Sequence, residues 1–238
     1  MVKVIAHRGA SGLADVENTL ESFELAIELG ADMVEFDIRK TRDNVMIVIH
    51  DAEFEGRPIG ELTYNEMEEK AKKKGYHIPQ VYEVLELCRG RIFLDIEVKE
   101  TGFEYRLVKL LHKYLEYDEY SVKSFEDIVP YRIKLIDPNI TTGLLLGYKE
   151  DTVQRRFNEI FPVRRLKACK ADFVSPYWML LRFGFLMRMR LAGYPVYVWT
   201  VNKKKRMKKL AKKKGVTGII SDRPDLLKEV IGKLEEEG

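Results

Sequence analysis

Cysteine is scarce in this chain of 238 residues, which contains only Cys88 and Cys169. The two are far apart and neither belongs to a CxxC pair, which excludes a disulfide framework and a thiolate zinc site. Such sparing use of cysteine is typical of proteins kept in a reducing compartment. We therefore expect the protein in the cytoplasm.

Long apolar runs are also absent. No segment offers the roughly 20 uncharged residues that a membrane-spanning helix requires, and the apolar run ahead of His7 is too short for a signal peptide. The 16 Gly and 8 Pro are too few for a collagen-like or low-complexity chain. Because 45% of the residues are hydrophobic, the chain can bury a large core, and the sequence predicts a soluble globular protein.

The chain as a whole has no large excess of positive or negative charge. The 41 basic and 38 acidic residues leave a net charge of +3, which gives no reason to expect a nucleic-acid partner. The charges are unevenly distributed, since nine of the twelve residues in Lys203–Lys214 are basic. Apolar residues at helical spacing within this run predict a barrel helix with a solvated basic face. An anionic membrane surface or nucleic acid is the alternative reading of that face.

Strand-like and helix-like segments alternate along the whole chain, and no repeat or linker divides it. Helix-length amphipathic stretches separate most of the strand-like runs, and this alternation is typical of parallel strands with crossover helices. We therefore expect a single domain over residues 1–238. The predicted strands are 2–6, 33–38, 45–50, 91–98, 120–124, 141–146, 172–175, 195–201 and 217–221.

The second and third predicted strands break this pattern. Only residues 39–44 separate them, too few for a parallel crossover, so they should form an antiparallel hairpin. Such a hairpin brings Asp37 level with Ile49 or His50. The eight remaining βα units match the size of a TIM (β/α)8 barrel, whose active site lies at the carboxyl ends of the strands. A doubly wound open sheet is the alternative fold.

Local signals predict the ends of the first helix and an insertion. Asn18 stands three residues before Glu21, which predicts an N-cap with its capping-box partner, and Gly30 ends the helix. The segment at about 53–80 has no clear strand and follows His50 directly. We expect a small helical cap there, on the catalytic face of the barrel.

Polar side chains occur at the carboxyl ends of three predicted parallel strands and of the hairpin strand. Residues two apart on a strand project from the same face, and the carboxyl ends of barrel strands meet at one mouth. We therefore expect these side chains to converge. The set is His7, Arg8, Glu35, Asp37, His50, Asp95, Glu97 and Lys99.

The residue types in this set suit phosphoryl-ester cleavage. Three carboxylates without cysteine favour one hard divalent cation, Mg²⁺, Ca²⁺ or Mn²⁺. Arg8 and Lys99 beside it could hold a phosphate, and two histidines could act as general acid and base. Structural roles are the alternative for single residues, since a lone histidine is commonly a satisfied one and Glu35 with Asp37 could pair with Arg39.

Eight short motifs occur in the order His7-Arg8-Gly9-Ala10-Ser11, Glu17-Asn18-Thr19-Leu20-Glu21-Ser22-Phe23, Glu35-Phe36-Asp37, Thr41-Arg42-Asp43, His50-Asp51, Glu97-Val98-Lys99, Trp199-Thr200-Val201-Asn202 and Ser221-Asp222-Arg223-Pro224-Asp225. With them the chain resembles the glycerophosphodiester phosphodiesterases, in the phospholipase C-like TIM-barrel group, over nearly its whole length. The resemblance implies a barrel that hydrolyses glycerophosphodiesters to an alcohol and sn-glycerol 3-phosphate with a divalent cation.

The resemblance also implies roles for individual residues. His7 and His50 would be the acid–base pair, and Trp199 would line the glycerol side of the pocket. The implied metal ligands are Glu35, Asp37 and Glu97, and the implied phosphate contacts are Arg8 and Lys99. Attack by the glycerol 2-hydroxyl through a cyclic phosphate is the mechanism we expect, because a neighbouring hydroxyl has a high effective molarity.

Three departures from the family pattern bear on specificity. Val16 stands where the family usually has proline, Asp95 replaces a common asparagine, and residues 52–57 differ from the usual stretch after His50-Asp51. A reduced cap would admit larger lipids, so lysophospholipase D activity is the nearest alternative. A non-catalytic barrel that binds phosphate or nucleic acid is a more distant one.

The segment Trp178–Met189 is strongly apolar and is interrupted by Arg182 and Arg188. It predicts the helix that precedes strand 195–201 and packs on the barrel. The alternative is an amphipathic patch near the mouth that contacts anionic lipid.

Overall fold

The computed structural model describes residues 1–147 and 158–236. Its strands are β1 (Lys3–His7), β2 (Met33–Lys40), β3 (Met46–Val48), β4 (Glu53–Phe54), β5 (Arg57–Pro58), β6 (Phe93–Val98), β7 (Tyr120–Ser124), β8 (Thr142–Leu146), β9 (Phe173–Pro176), β10 (Tyr197–Val198) and β11 (Gly218–Ser221). Its helices are α1 (Leu20–Glu28), α2 (Tyr64–Lys73), α3 (Val81–Cys88), α4 (Glu104–Tyr114), α5 (Ile128–Ile136), α6 (Val163–Cys169), α7 (Phe185–Leu191), α8 (Lys204–Ala211) and α9 (Pro224–Glu236). Two 3₁₀ turns are formed by Ile59–Glu61 and Trp178–Leu180.

The parallel strands close into a ring. They follow the order β10-β11-β1-β2-β6-β7-β8-β9, and the two outer strands meet through parallel bridges from Val174 to Val196 and from Tyr177 to Trp199. The predicted TIM barrel is therefore confirmed, and the open-sheet alternative is wrong. Every predicted strand is present, with the largest change at 195–201, which is shortened to Tyr197–Val198.

The predicted hairpin is also present. β3 pairs antiparallel with β2, with Ile38 opposite Val48, and the amide of Ile49 donates to the carbonyl of Asp37 at 3.0 Å. Asp37 therefore lies level with Ile49. Pairing of β3 with the outer end of β2 brings residues 49–51 to the carboxyl end of the barrel.

Helix α1 begins one residue later than predicted. Thr19 is its N-cap, and Ser22 completes the capping box, so the prediction of Asn18 with Glu21 is wrong. The physical reason is that Asn18 has a left-handed backbone, with φ of +57°, and its side-chain amide donates to Asp37 at 3.0 Å. The predicted end at Gly30 is confirmed, since φ there is +66°.

Apolar side chains fill the barrel below its mouth. Ile5, Met33 and Ile220 form a buried cluster inside it, and the ring of Phe173 occupies space that Gly143 leaves, because a Cβ there would lie 2.2 Å from the ring. Larger apolar clusters separate the strands from the surrounding helices. The polar residues of the strand ends consequently lie above a closed apolar layer.

The segment 53–80 contains the β4–β5 hairpin, a 3₁₀ turn and helix α2. The helix agrees with the expected helical insertion, whereas the hairpin was not predicted. The segment has a small apolar core of its own, made with β3. Its buried members are Ile47, Phe54, Ile59, Leu62, Met67, Ala71 and Ile78.

A histidine joins this segment to the barrel. His77 lies with Nδ1 2.7 Å from Glu68 of α2 and Nε2 3.1 Å from Glu83 of α3. Burial lowers the pKa of His77, but the hydrogen bond and charge of Glu68 and the charge of Glu83 outweigh it, and the pKa is raised. Protonated His77 therefore stabilises the junction between the two helices.

His77→Gln should flatten the pH dependence of stability. The stabilisation by His77 is complete below the unfolded pKa, about 6.5, and is lost as the pH rises through the higher folded pKa. Because the pair is partly exposed, the effect should be at most about 1 kcal/mol. Urea unfolding of the wild type and the variant at about pH 6 and pH 8.5 measures this effect. If the free energy of unfolding changed equally between the two pH values in both proteins, the prediction would be contradicted.

The helices predicted in the basic segment and in the apolar segment have different outcomes. The helix predicted in Lys203–Lys214 is confirmed as α8, with Met207 and Leu210 buried. The helix predicted over Trp178–Met189 is wrong in its first half, because the chain forms a 3₁₀ turn and then breaks at Phe183 and Gly184, both of which have positive φ. Among residues 1–147 and 158–236, none of the helices has the length and hydropathy that crossing a bilayer demands.

Candidate active site

A tight turn after β1 positions the first polar residues of the mouth. Arg8 and Gly9 have φ of +53° and +81°, and a Cβ at Gly9 would lie 2.4 Å from Oγ of Ser22. Glycine is therefore required at position 9. The amide of Arg8 donates to Oε2 of Glu35 at 3.2 Å. Backbone in sparsely populated regions is often concentrated at functional sites, where the surrounding contacts hold it.

Three carboxylates from two neighbouring strands meet at the centre of the mouth. β2 and β6 pair so that Asp37 lies opposite Glu97, and one oxygen each of Glu35, Asp37 and Glu97 lies within 4.8 Å of the others. All three side chains are buried. Burial raises the pKa of Glu97 and the charges of Asp37 and Glu35 add to the rise, which Lys99 only partly offsets.

Two basic side chains contact this cluster. Nε of Arg8 lies 3.2 Å from Oδ2 of Asp37, while its Nη1 donates to Glu17 at 2.6 Å. Nζ of Lys99 lies 2.9 Å from Oδ1 of Asp37 and also contacts Glu97. Burial raises the pKa of Asp37, but the charges of Lys99 and Arg8 outweigh it and lower the pKa below its usual range.

His7 is oriented by a residue from the other end of the chain. Its Nδ1 lies 2.6 Å from Oδ1 of Asp222, which also accepts from Ser11, while Oδ2 of Asp222 accepts from the side-chain amide of Asn202. With the Nδ1 proton donated to Asp222, Nε2 faces the cluster, 3.9 Å from Glu35. Burial lowers the pKa of His7, but the hydrogen bond to Asp222 and the charge of Glu35 raise it overall.

His50 lies at the mouth in a different environment. Its Nδ1 is 2.8 Å from Oδ1 of Asp51, and its carbonyl accepts from Nε of Arg39 at 2.9 Å. Burial and the charge of Lys99 lower the pKa of His50, although Asp37 opposes them. Arg39 also lies 3.7 Å from Glu100, so the alternative in which it pairs with Glu35 and Asp37 is wrong.

A cavity of about 700 Å³ opens at the mouth and has two chemically different walls. Both histidines, Arg8 and Lys99 line one wall. The opposite wall is apolar and is formed by Phe125, Leu145, Tyr177, Trp199 and Ile220. The indole N–H of Trp199 donates to the carbonyl of Ser175 at 2.7 Å, which fixes the ring.

The profile of the Glycerophosphoryl diester phosphodiesterase family matches residues 7–226. The chain belongs to this family. A glycerophosphodiester phosphodiesterase of Caldanaerobacter subterraneus subsp. tengcongensis is 31% identical over 97% of this chain and 98% of its own. A lysophospholipase D of Rattus norvegicus is 26% identical over 97% of this chain and 86% of its own.

Solved structures of this family share the fold. A putative family member from Silicibacter pomeroyi superposes with a TM-score of 0.87 at 22% identity, covering 98% of this chain and 94% of that one. A phosphodiesterase from Oleispira antarctica, solved with the product sn-glycerol 3-phosphate, superposes with a TM-score of 0.81 at 24% identity, covering 97% and 96% of the two chains. Because the chain belongs to this family and is 31% identical to a glycerophosphodiester phosphodiesterase over nearly its whole length, it is an enzyme, a phosphoric diester hydrolase that acts on glycerophosphodiesters, and the alternative of a non-catalytic binding barrel is set aside.

The carboxylate cluster fits the divalent cation expected of this phosphodiesterase family. Among the described residues, Oδ1 of Asp37 and Oε1 of Glu97 are buried and accept no well-aligned hydrogen bond, although both contact the ammonium of Lys99. One ammonium shared among three buried carboxylates leaves negative charge that is costly to bury. Three carboxylates with no sulfur ligand are the donor set that hard, oxygen-seeking cations prefer.

Asp95, which departs from the family pattern, has a partner that the sequence did not suggest. Nζ of Lys123 lies 2.6 Å from Asp95 and 3.3 Å from Glu35, and both lysine and aspartate are fully buried. Ser121 donates to the other Asp95 oxygen at 3.0 Å. The neighbouring carboxylates outweigh burial and raise the pKa of Lys123. Asp95 therefore belongs to an ion pair beneath the carboxylate cluster.

Sequence reasoning missed four residues that support the site: Asn18, Lys123, Asn202 and Asp222. Asp222 directly follows β11 and Asn202 lies four residues beyond β10, so the rule that polar groups at barrel strand ends are functional could have found them. A lysine inside the predicted strand 120–124 was a similar signal. Charged residues are almost never fully buried unless they are paired.

Proposed function

We propose that the chain hydrolyses glycerophosphodiesters to an alcohol and sn-glycerol 3-phosphate, with His7 and His50 as the acid–base pair. The observation that carries this proposal is that both histidines line one cavity beside the buried carboxylates of Glu35 and Glu97. Their pKa values are shifted in opposite directions. Groups whose environments separate their pKa values are suited to opposite proton-transfer roles.

The lowered pKa makes His50 the base of the first step. Its Nε2 takes the proton of the glycerol 2-hydroxyl, whose oxygen forms a bond to phosphorus. The bond from phosphorus to the leaving oxygen breaks, and Nε2 of His7 gives that oxygen its proton. Water then opens the cyclic phosphate with the two roles reversed.

The remaining residues hold the phosphate and the glycerol. Glu35, Asp37 and Glu97 would hold a divalent cation, which would supply Lewis-acid polarisation of the phosphate. Arg8 and Lys99 contact the charged oxygens, and Trp199 with the apolar wall packs against the glycerol carbons. The cytoplasm is the compartment we propose, with residues 1–238 acting as one domain and the segment 53–80 bordering the mouth.

Lysophospholipids are a second substrate class, favoured by the apolar wall of Phe125, Leu145 and Tyr177. An acyl chain bound against this wall would remove apolar surface of both the acyl chain and the wall from water. The lysophospholipase D named among the relatives supports the same class.

Release of glycerol 3-phosphate from glycerophosphocholine and glycerophosphoethanolamine, and of lysophosphatidic acid from lysophosphatidylcholine, tests the proposal. Chelation with EDTA should lower the rate about 100-fold or more, because a Lewis acid contributes several kcal/mol to the transition state. Glu97→Gln should have a similar effect, and Glu53→Gln, an exposed carboxylate, should have none. Absence of cation-dependent release from every substrate would refute the proposal.

A further inference from the structure

The barrel surface beside the apolar wall carries four exposed apolar side chains. Met179, Phe183, Met187 and Leu191 are 44%, 72%, 57% and 76% exposed. Met187 and Leu191 lie four residues apart on one stripe of α7, while Phe185 and Met189 are the buried residues of that helix. We call the four exposed residues the apolar patch. Contiguous exposed apolar patches mark interaction sites more often than single exposed residues do.

The same part of the chain is strongly and exclusively basic. Residues 173–221 contain twelve Lys or Arg residues and no Asp or Glu. Because the whole chain has a net charge of +3, the remainder carries −9. The twelve charges include Arg182 and Arg190, which are exposed next to the apolar patch, and the nine of Lys203–Lys214.

Contacts between the elements place the basic helix α8 beside the patch. The guanidinium of Arg206 lies 3.5 Å above the ring of Trp178, next to Met179 in the chain. On its other flank, Lys204 of α8 pairs with Glu229 of α9. Lys205 and Lys209 are exposed on α8. Apolar and cationic side chains therefore share one surface.

Aromatic rings connect this surface with the catalytic cavity. Trp199 in the cavity wall lies 5.3 Å from Tyr177, and Tyr177 lies 5.4 Å from Trp178, measured between ring centroids. Trp178 in turn lies beneath Arg206. The route from the apolar wall to the patch consequently passes over aromatic side chains. These are the residue types enriched where one end of a side chain is apolar and the other is wet.

We propose that the apolar patch, Arg182, Arg190 and α8 form a docking surface for an anionic lipid bilayer, with the apolar side of the barrel mouth facing it. Apolar side chains enter the boundary between headgroups and acyl chains, and lysine and arginine attract anionic lipids. A second copy of the chain fits poorly, because a two-fold contact would bring Arg182, Arg190 and the exposed lysines of α8 close to the same cations of the other copy. Nucleic acid would use the charges but leave the apolar patch in water.

Co-sedimentation with vesicles tests the docking surface without any turnover. Phosphatidylcholine vesicles containing about a third phosphatidylglycerol should bind the protein at low salt, and binding should weaken steeply with added salt. Vesicles of phosphatidylcholine alone should bind at least tenfold more weakly. Absence of binding to anionic vesicles at low salt would overturn the proposal.

Matched variants separate the two components of the surface. Phe183→Ser with Met187→Ser, and separately Lys205→Glu with Lys209→Glu, should each lower vesicle affinity at least tenfold. The controls Leu135→Ser on α5 and Lys73→Glu on α2 are also exposed and should leave it unchanged. All variants should hydrolyse soluble glycerophosphocholine at the wild-type rate, which also shows that they fold.

Three other outcomes would overturn the inference. If the variant with Phe183→Ser and Met187→Ser bound anionic vesicles with wild-type affinity, and Leu191→Ser did so too, the apolar patch would be excluded from the docking surface. Tighter binding to duplex DNA than to anionic vesicles would assign the surface to nucleic acid. A dimer in sedimentation that the apolar variant dissociates would assign it to a second copy. The inference rests on the proposed function only where it links the bound lipid to the substrate. If the protein failed to hydrolyse glycerophosphodiesters, its binding to vesicles would still test the docking surface.

Discussion

His7→Ala and His50→Ala should each lower turnover of glycerophosphocholine at least about 10³-fold, within the range of general acid–base catalysis. Each variant removes the group that moves a proton at one end of the displacement. The carboxylates of Glu35, Asp37 and Glu97 stay in place, so affinity for Mn²⁺, measured by calorimetry, should change little. Steady-state kinetics should show the loss in kcat rather than in KM.

His112→Ala is the matched control for both variants. His112 is exposed and lies 2.9 Å from Asp137, outside the residues that line the cavity. Its replacement should leave turnover unchanged. A variant of His7 or His50 that keeps wild-type kcat would remove that histidine from the mechanism.

A substrate with a different leaving group tests which histidine is the acid and which is the base. A glycerophosphodiester with p-nitrophenol as its alcohol needs little protonation on departure, so His7→Ala should lose much less activity on it than on glycerophosphocholine. His50→Ala should lose activity by the same factor on both substrates. The reverse pattern would exchange the two roles. Bis(p-nitrophenyl) phosphate lacks the glycerol hydroxyl and should be a poor substrate if the hydroxyl attacks.

Asp222→Asn tests the positioning of His7. The amide can present its N–H to Nδ1, which favours the wrong tautomer and removes a charge that stabilises protonated His7. The expected result is a lower kcat with a shift of the His7-dependent limb of the pH–rate profile to lower pH. A loss of activity without any shift in that limb would indicate only a structural role.

Lys123→Met should be the most destabilising of these substitutions, by about 3–5 kcal/mol. It leaves the carboxyl group of Asp95 fully buried without its cation and with only Ser121 as a side-chain donor, at 3.0 Å. Glu35 also loses a cation 3.3 Å away. Urea or guanidinium unfolding with metal removed measures the free energy of unfolding without a contribution from bound cation.

A double-mutant cycle separates the ion pair from simple packing. Lys123→Met combined with Asp95→Leu removes both buried charges and should recover most of the lost stability. Lys233→Met, in an exposed i,i+4 pair with Glu229, is the control and should cost less than about 1 kcal/mol. If the double variant were as unstable as the single one, the buried pair would not explain the loss.

The fold was predictable because its signals are local. Strand and helix periodicities and the short connection at 39–44 were enough for the barrel and its hairpin, and the rule that strand ends meet at one mouth brought His7, Glu35 and Glu97 together. Partners of these residues were not predictable in the same way. Lys123 and Asp95 are 28 residues apart, and their pairing depends on the register of β6 against β7.

Asn18 shows the limit of local reasoning. Its spacing to Glu21 satisfies the capping rule, but Asp37 competes for its side chain through a contact that forms only in the folded barrel. Thr19 is left to cap α1. The break at Phe183 has a similar origin, since hydrophobicity alone cannot distinguish a buried helix from a turn with exposed apolar residues.

The contact between His7 and Asp222 joins the first strand of the chain to the segment that follows the last. β1 pairs directly with β11, so the two ends of the sequence meet beside the catalytic cavity. During synthesis, the early residues leave the ribosome long before their partner exists. The proton-transfer geometry of His7 can therefore arise only when the final strand has docked. Catalytic activity therefore indicates that β11 has been synthesised and that the ring of strands has closed.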